Sequence, residues 1–108
     1  MAFIYIGYRI FLMHTLSINL SEKIERGGVI LDVRTKREFK TGHIKGALNI
    51  PLSKLSTDSI PIAKNAVIIT VCSHGLRSVK AVERLKERGY SNAFNGGAWS
   101  DLEQSIKK

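Results

Sequence analysis

The run AVIITV, Ala66–Val71, constrains the fold of this chain more than any other stretch. It carries no charge and is rich in β-branched residues, whose stiff side chains suit a pleated surface. No polar residue alternates with the apolar ones, so both faces of this strand need cover. Five residues further on, the period changes. Leu76, Val79, Val82 and Leu85 recur at every third position with Ala81 near them, and Arg77, Lys80, Glu83, Arg84, Glu87 and Arg88 fill the other faces. This is the pattern of an amphipathic helix, which Gly89 ends. A buried strand leading directly into a helix is the start of a parallel crossover.

The rest of the chain repeats the alternation. Ser17 can cap a helix to about Arg26, with Leu20 and Ile24 one turn apart and Gly27 and Gly28 as its stop. Val29–Asp32 reads as a second buried strand. Thr35 and Glu38 have capping-box spacing, so a short helix starts there and stops near Gly42. Ala47–Ile50 reads as another strand, closed by Pro51, and residues 52–62 as a loop holding one helical turn. Asn92–Phe94 reads as a last short strand and NGGAW as a turn. SDLEQSIKK forms a terminal helix with Ser100 as cap and lysines at its C-terminal end. The expectation is an α/β domain: a parallel sheet covered by helices on both faces. Such sheets bind ligands beyond the carboxyl ends of their strands.

Cys72 lies at that kind of point, in VCSHGLRSV, between the strongest strand and the helix after it. It is the single cysteine of the chain, so no internal disulfide, CxxC redox pair or multi-thiolate zinc site can form. No metal or cofactor is called for, and a reducing, cytoplasmic setting suits a lone thiol. The surroundings favour its ionised form. The helix starting near Leu76 directs unpaired N–H groups and its positive dipole end into the loop. Gly75 permits a tight curve in which successive amides converge on one anion. Arg77 adds a permanent cation and His74 a titratable one. The same arrangement holds an incoming anion, and Arg77 can grip two oxygens of an oxyanion at once.

At 108 residues the chain is one domain. Its net charge of +8 favours anionic partners. Without a basic arm, a run of like charges or a basic–aromatic repeat, that charge points to a small anion rather than to nucleic acid. The N-terminal MAFIYIGYRIFLMHTLSINL is apolar, but Arg9 interrupts it. It is too broken for a typical membrane-spanning helix and lacks the charged start and a clear cleavage site of a signal peptide, which makes a strand or packed extension the expectation and leaves export or membrane association as the alternative. Residues 1–12 are expected as an apolar extension and residues 13–108 as the domain proper.

Taken in order, LDVRTKREFKTGHIKGALNIPL, CSHGLRS and LKERGYSNAFNGGAWSDL resemble a single-domain rhodanese. The resemblance runs from about Ser17 to Leu102. It rests on the Asp-Val-Arg strand end, the Gly-His-Ile-x-Gly-Ala-x-Asn-Ile-Pro turn, the Cys-x-x-Gly-x-Arg loop and the Gly-Gly-x-Trp ending. It implies a three-layer fold around a five-stranded parallel sheet, the first strand falling near Met13–Leu16. It also implies sulfur transfer through a persulfide on Cys72. The amides from Ser73 through Gly75 and Leu76 to Ser78 would cradle the outer sulfur. Arg77 and His74 would bind the sulfonate end of a donor such as thiosulfate. Asp32 and Arg34 match the strand-end motif that supports the loop, as a structural ion pair or cap. His43 is expected as a hydrogen-bonded turn residue, and Trp99 in the core or beside the site entrance.

Cyanide or a thiol would accept the sulfur, and the chain is expected as a monomer or weak dimer. A partner protein is the alternative acceptor, which would make the domain a relay or regulatory binding module. Rhodanese-fold phosphatases and arsenate reductases remain a lesser alternative. Their loops have five residues between Cys and Arg, whereas this one has four and no acid inside it.

Overall fold

The computed structural model describes residues 20–107. The expected extension over residues 1–12, the strand near Met13–Leu16 and the Ser17 cap lie outside the described residues. The chain runs from a helix described over residues 20–25 (α1) to β1 (Val29–Asp32), α2 (Lys36–Thr41) and β2 (Leu48–Asn49). A single 3-10 turn over Leu52–Lys54 follows, then β3 (Ile68–Cys72), α3 (Leu76–Glu87), β4 (Ala93–Ala98) and α4 (Trp99–Lys107). Among the described residues the sheet has four strands where five were expected, in the order β2-β1-β3-β4, every pair parallel. No helix of the described residues is long and apolar enough to cross a membrane.

β3 sits between β1 and β4, and all five of its residues are buried. Its side chains alternate between two cores, as the pleat requires. Ile68 and Cys72 join Leu31, Val33, Leu55, Ala81 and Leu85 on the α3 side. Ile69 and Val71 join Ile30, Ile44 and Leu102, with Leu20, Ile24 and Trp99 packed against them, on the side of α1 and α4. Two apolar layers therefore sandwich the sheet. Fully buried Leu31, Leu55, Ile68, Ile69 and Leu85 each contribute about 1.5–3 kcal/mol.

The structure departs from the sequence reading in two places. The segment read as the turn NGGAW continues β4 as far as Ala98, and Trp99 rather than Ser100 opens α4. Gly96 makes this continuation fit: a Cβ there would lie 2.7 Å from Ile69 Cγ2 and 2.9 Å from the Thr70 carbonyl oxygen. A glycine pair that signals a turn by composition is here a site of close strand approach. The pairing slips once, because Thr70 faces Asn95 but Cys72 faces Ala98, a bulge that Gly97 accommodates at φ 78°.

The second departure is at the start of α3. Leu76 is 77% exposed and Val79 45%, while Ser78 is fully buried. The apolar stripe begins in earnest only at Ala81 and Leu85. In the first turn a polar residue faces in and apolar ones face out, the inversion expected where local patterning yields to a site.

Candidate active site

The carboxyl ends of β1 and β3 and the N-termini of α2 and α3 meet at one edge of the sheet. Cys72 ends β3 and is 1% exposed. The chain then turns through Ser73 and His74 to Gly75, whose φ of 91° is left-handed and open to glycine at little cost. That turn directs the Gly75 N–H to Cys72 Sγ at 2.9 Å and the Ser78 N–H to it at 3.4 Å. Cys72 Sγ also lies 3.5 Å from Ser78 Oγ. Burial pushes the Cys72 thiol up. The Ser78 hydroxyl and the N–H groups of Ser78, His74 and Gly75 outweigh it, and the thiol is held below its ordinary range.

The N–H groups of His74, Gly75 and Ser78 are thus directed at Sγ, while the His74 side chain is exposed. Leu76 places its side chain in solvent at the mouth of the loop. Ser78 is itself anchored. Its hydroxyl lies 2.9 Å from the Gly75 carbonyl oxygen and 2.6 Å from Asn95 Oδ1, and its own carbonyl accepts from Thr70 Oγ1 at 2.9 Å. Asn95 Oδ1 also accepts from the Gly97 N–H at 2.9 Å. The bulge of β4 therefore reaches Cys72 through Asn95 and Ser78.

Arg77 is where the site differs most from expectation. Its guanidinium fork is filled. Nη1 donates to Glu38 Oε1 at 2.7 Å and Nη2 to Glu38 Oε2 at 2.9 Å, the bidentate geometry of an oxyanion complex. Nη2 also donates to Ser73 Oγ at 3.2 Å, and Ser73 donates to Glu38 Oε2 at 3.1 Å. Glu38 closes the capping box of α2 as expected, its Oε1 accepting from the Thr35 N–H at 3.1 Å. Arg77 in particular, against partial burial, and then Thr35 and Ser73 hold the Glu38 carboxyl far below the usual carboxylate range. Glu38 in turn raises the pKa of Arg77.

Asp32 and Arg34 form a buried pair, 0% and 3% exposed, that reaches the loop at one remove. Arg34 Nε lies 2.9 Å from Asp32 Oδ1 and Nη2 lies 2.7 Å from Oδ2. The same guanidinium donates to the carbonyls of Glu38 at 3.3 Å and Gly42 at 2.7 Å, so it ties the end of β1 to α2. The Trp99 ring lies against it at 4.8 Å. Asn49 Nδ2 donates to the carbonyls of Asp32 and Arg34, both at 2.9 Å. His43 is the hydrogen-bonded turn residue its motif suggested, with Nδ1 2.7 Å from the Phe39 carbonyl and its ring stacked on Phe39.

Glu38, Asn95 and Asn49 were not singled out as site residues by sequence. Glu38 carried a capping signal but none for its contact with Arg77, thirty-nine positions away. Asn95 sat in what read as a turn. Chemically, the edge offers a thiol whose ionised form is favoured, amides directed at its sulfur, and one arginine already engaged.

A strand-end cysteine enclosed by the amides of a short loop at a helix N-terminus, in a three-layer α/β domain, defines a class. Residues 18–100 match the rhodanese-like domain, and the chain belongs to that family. Over 70 residues it is 36% identical to YqhL of Bacillus subtilis (strain 168), a match covering 65% of this chain and 56% of YqhL. The chain thus spans a little over half the length of that relative. It is 33% identical over 75 residues to the thiosulfate sulfurtransferase PspE of Escherichia coli (strain K12), covering 67% of this chain and 71% of PspE. The human single-domain sulfurtransferase TSTD1 has a similar structure, with a TM-score of 0.70 and 27% identity over 83% of this chain and 92% of TSTD1.

Proposed function

We propose that this protein is a sulfurtransferase that carries sulfane sulfur on Cys72. The observation behind this reading is the convergence of the Gly75 and Ser78 N–H groups on Cys72 Sγ. These donors stabilise the attacking thiolate and would equally stabilise the terminal sulfur of a persulfide. With thiosulfate as donor, the Cys72 thiolate attacks the outer sulfur. A new S–S bond forms, the old one breaks, and sulfite leaves with the bonding pair and both remaining charges. Cyanide or a small thiolate then attacks the terminal sulfur and returns Cys72 as thiolate. The sequence is covalent catalysis with ping-pong kinetics. No second cysteine exists in the chain to resolve the persulfide, so the acceptor is external.

A protein acceptor is the second reading, and the apolar surface at the loop favours it. Leu76 and Val79 stand exposed beside the site. Exposed apolar residues grouped at a functional opening suit a docking partner. Rapid discharge of the persulfide to one protein, with slow turnover on every small acceptor, separates this from the enzyme acting alone.

The test is intact-mass measurement after treatment with thiosulfate. A mass gain of one sulfur atom, lost on cyanide addition and absent in Cys72→Ser, is the expected result. No adduct from any sulfane-sulfur donor and no thiocyanate would end the sulfurtransferase reading.

A further inference from the structure

The Arg77 fork and its neighbourhood bear on which donor the site takes. The Nη1–Nη2 edge of the guanidinium, which would grip an incoming oxyanion, already holds the Glu38 carboxylate, at 2.7 and 2.9 Å. Glu38 is fixed there from three sides, by Arg77, by Ser73 and by the capping box of its own helix. A doubly charged donor therefore meets a neutralised cation and a fixed negative charge. It has to displace Glu38 to take that edge of Arg77, and the fixed carboxylate repels its charge. Beside Arg77 lies an open cavity of about 250 Å³, lined by Val33, Thr35, Pro51, Leu52, Ser53 and Arg77. Three of its six lining residues are apolar, and Arg77 is its one charged wall. That surface suits a hydrocarbon group carrying little charge.

We infer that Glu38 and this cavity together select the donor, favouring a singly charged organic thiosulfonate with its hydrocarbon group in the cavity over dianionic thiosulfate. The inference rests on the sulfurtransferase reading and names its substrate class. The chemistry balances without a further reagent. The Cys72 thiolate attacks the terminal sulfur of R–SO2–S⁻, the S–S bond breaks, and an organic sulfinate leaves with the electron pair. The product is the Cys72 persulfide anion, and total charge is unchanged. Replacing one sulfonate O⁻ of thiosulfate by a hydrocarbon group removes the charge that Glu38 opposes and adds the surface that the cavity accepts.

Glu38→Gln separates the two donors. It keeps the length of the side chain and an oxygen that can accept from Thr35 and Arg77, and it removes the charge. The probes are benzenethiosulfonate and thiosulfate, with kcat/KM measured for both on the same preparations. Wild-type protein is expected to prefer benzenethiosulfonate. In Glu38→Gln that preference should shrink roughly fivefold, through a gain on thiosulfate, the size expected for one partly exposed charge pair. An unchanged ratio, or an equal fall on both donors, overturns the inference and leaves Glu38 as a residue that merely positions Arg77. Should Glu38→Gln not fold, wild-type protein decides through inhibition: benzenesulfonate should compete better than sulfate, and the reverse order refutes the selection. If neither donor adds sulfur to Cys72, the sulfurtransferase reading falls and this inference with it. If both load while the ratio stays fixed, the inference alone falls.

Discussion

Asp32 and Arg34 provide a decisive test of how this edge is held together. Three of the five side-chain hydrogen bonds of Arg34 go to Asp32, at 2.9, 3.1 and 2.7 Å, and both residues are almost wholly shielded from water. Asp32→Ala leaves Nε without its partner and Nη2 with only the Gly42 carbonyl, on a cation that stays buried. Removing one member of a buried pair costs about 3–5 kcal/mol, because the other charge is left uncompensated. The same change in an exposed pair costs at most about 1 kcal/mol. Since a domain of this kind has a total stability of roughly 5–15 kcal/mol, the loss is large enough to measure without ambiguity. Arg34→Met should cost a similar amount, stranding the Asp32 carboxylate. The double variant removes both charges and should lose less than the two singles combined by at least about 2 kcal/mol. Urea unfolding reads all four proteins. Fluorescence of Trp99, the chain's one tryptophan, reports directly, since its ring lies against Arg34. Single variants that each lose under about 1 kcal/mol, or singles that sum to the double, would refute the reasoning.

Two further outcomes are expected. Cys72 should ionise at lower pH in the folded protein than in urea, as read by ultraviolet thiolate absorbance, because its hydrogen bonds outweigh its burial. That contribution to stability is fully present above the unfolded thiol's pKa and is lost as pH falls through the folded one. Ser78→Ala removes one of the contacts that hold the thiol down and should raise the folded value; matching titrations in folded and unfolded wild-type protein would contradict this. Gly96→Ala places a Cβ against Ile69 and the Thr70 carbonyl, and overpacking there should cost about 1–3 kcal/mol. A melting temperature within a degree of wild type would show that β4 yields instead.

The elements built on strong periodicity were legible from sequence. β1, α2 with its Thr35–Glu38 box, and α3 stand where apolar runs and capping residues put them, because those signals act over one or two turns of chain. Cys72 and its loop were legible for the same reason, since strand, Gly75 and helix start are contiguous. What escaped was either long-range or ambiguous in composition. Glu38 meets Arg77 only once the sheet brings α2 beside α3. The glycines at 96 and 97 fit a turn and a tightly paired strand equally well until Ile69 lies against them. The exposure of Leu76 and Val79 was hidden because helical spacing alone cannot say where a helix overhangs its sheet.

Because every strand of the described sheet points the same way, the domain has two unlike ends. The segments entering the strands, around Gly27 and Gly28, residues 61–67 and Gly89–Asn92, lie opposite the one that holds Cys72, Glu38 and Arg77. Extra length or altered sequence at those entries would leave the sulfur-bearing loop undisturbed. Three of the four strand exits are committed: to Arg34 after β1, to the cavity wall at Pro51 after β2, and to the loop that starts from Cys72 at the end of β3. Variation that keeps the chemistry is channelled to one end of the molecule, and variation that redirects it to the other.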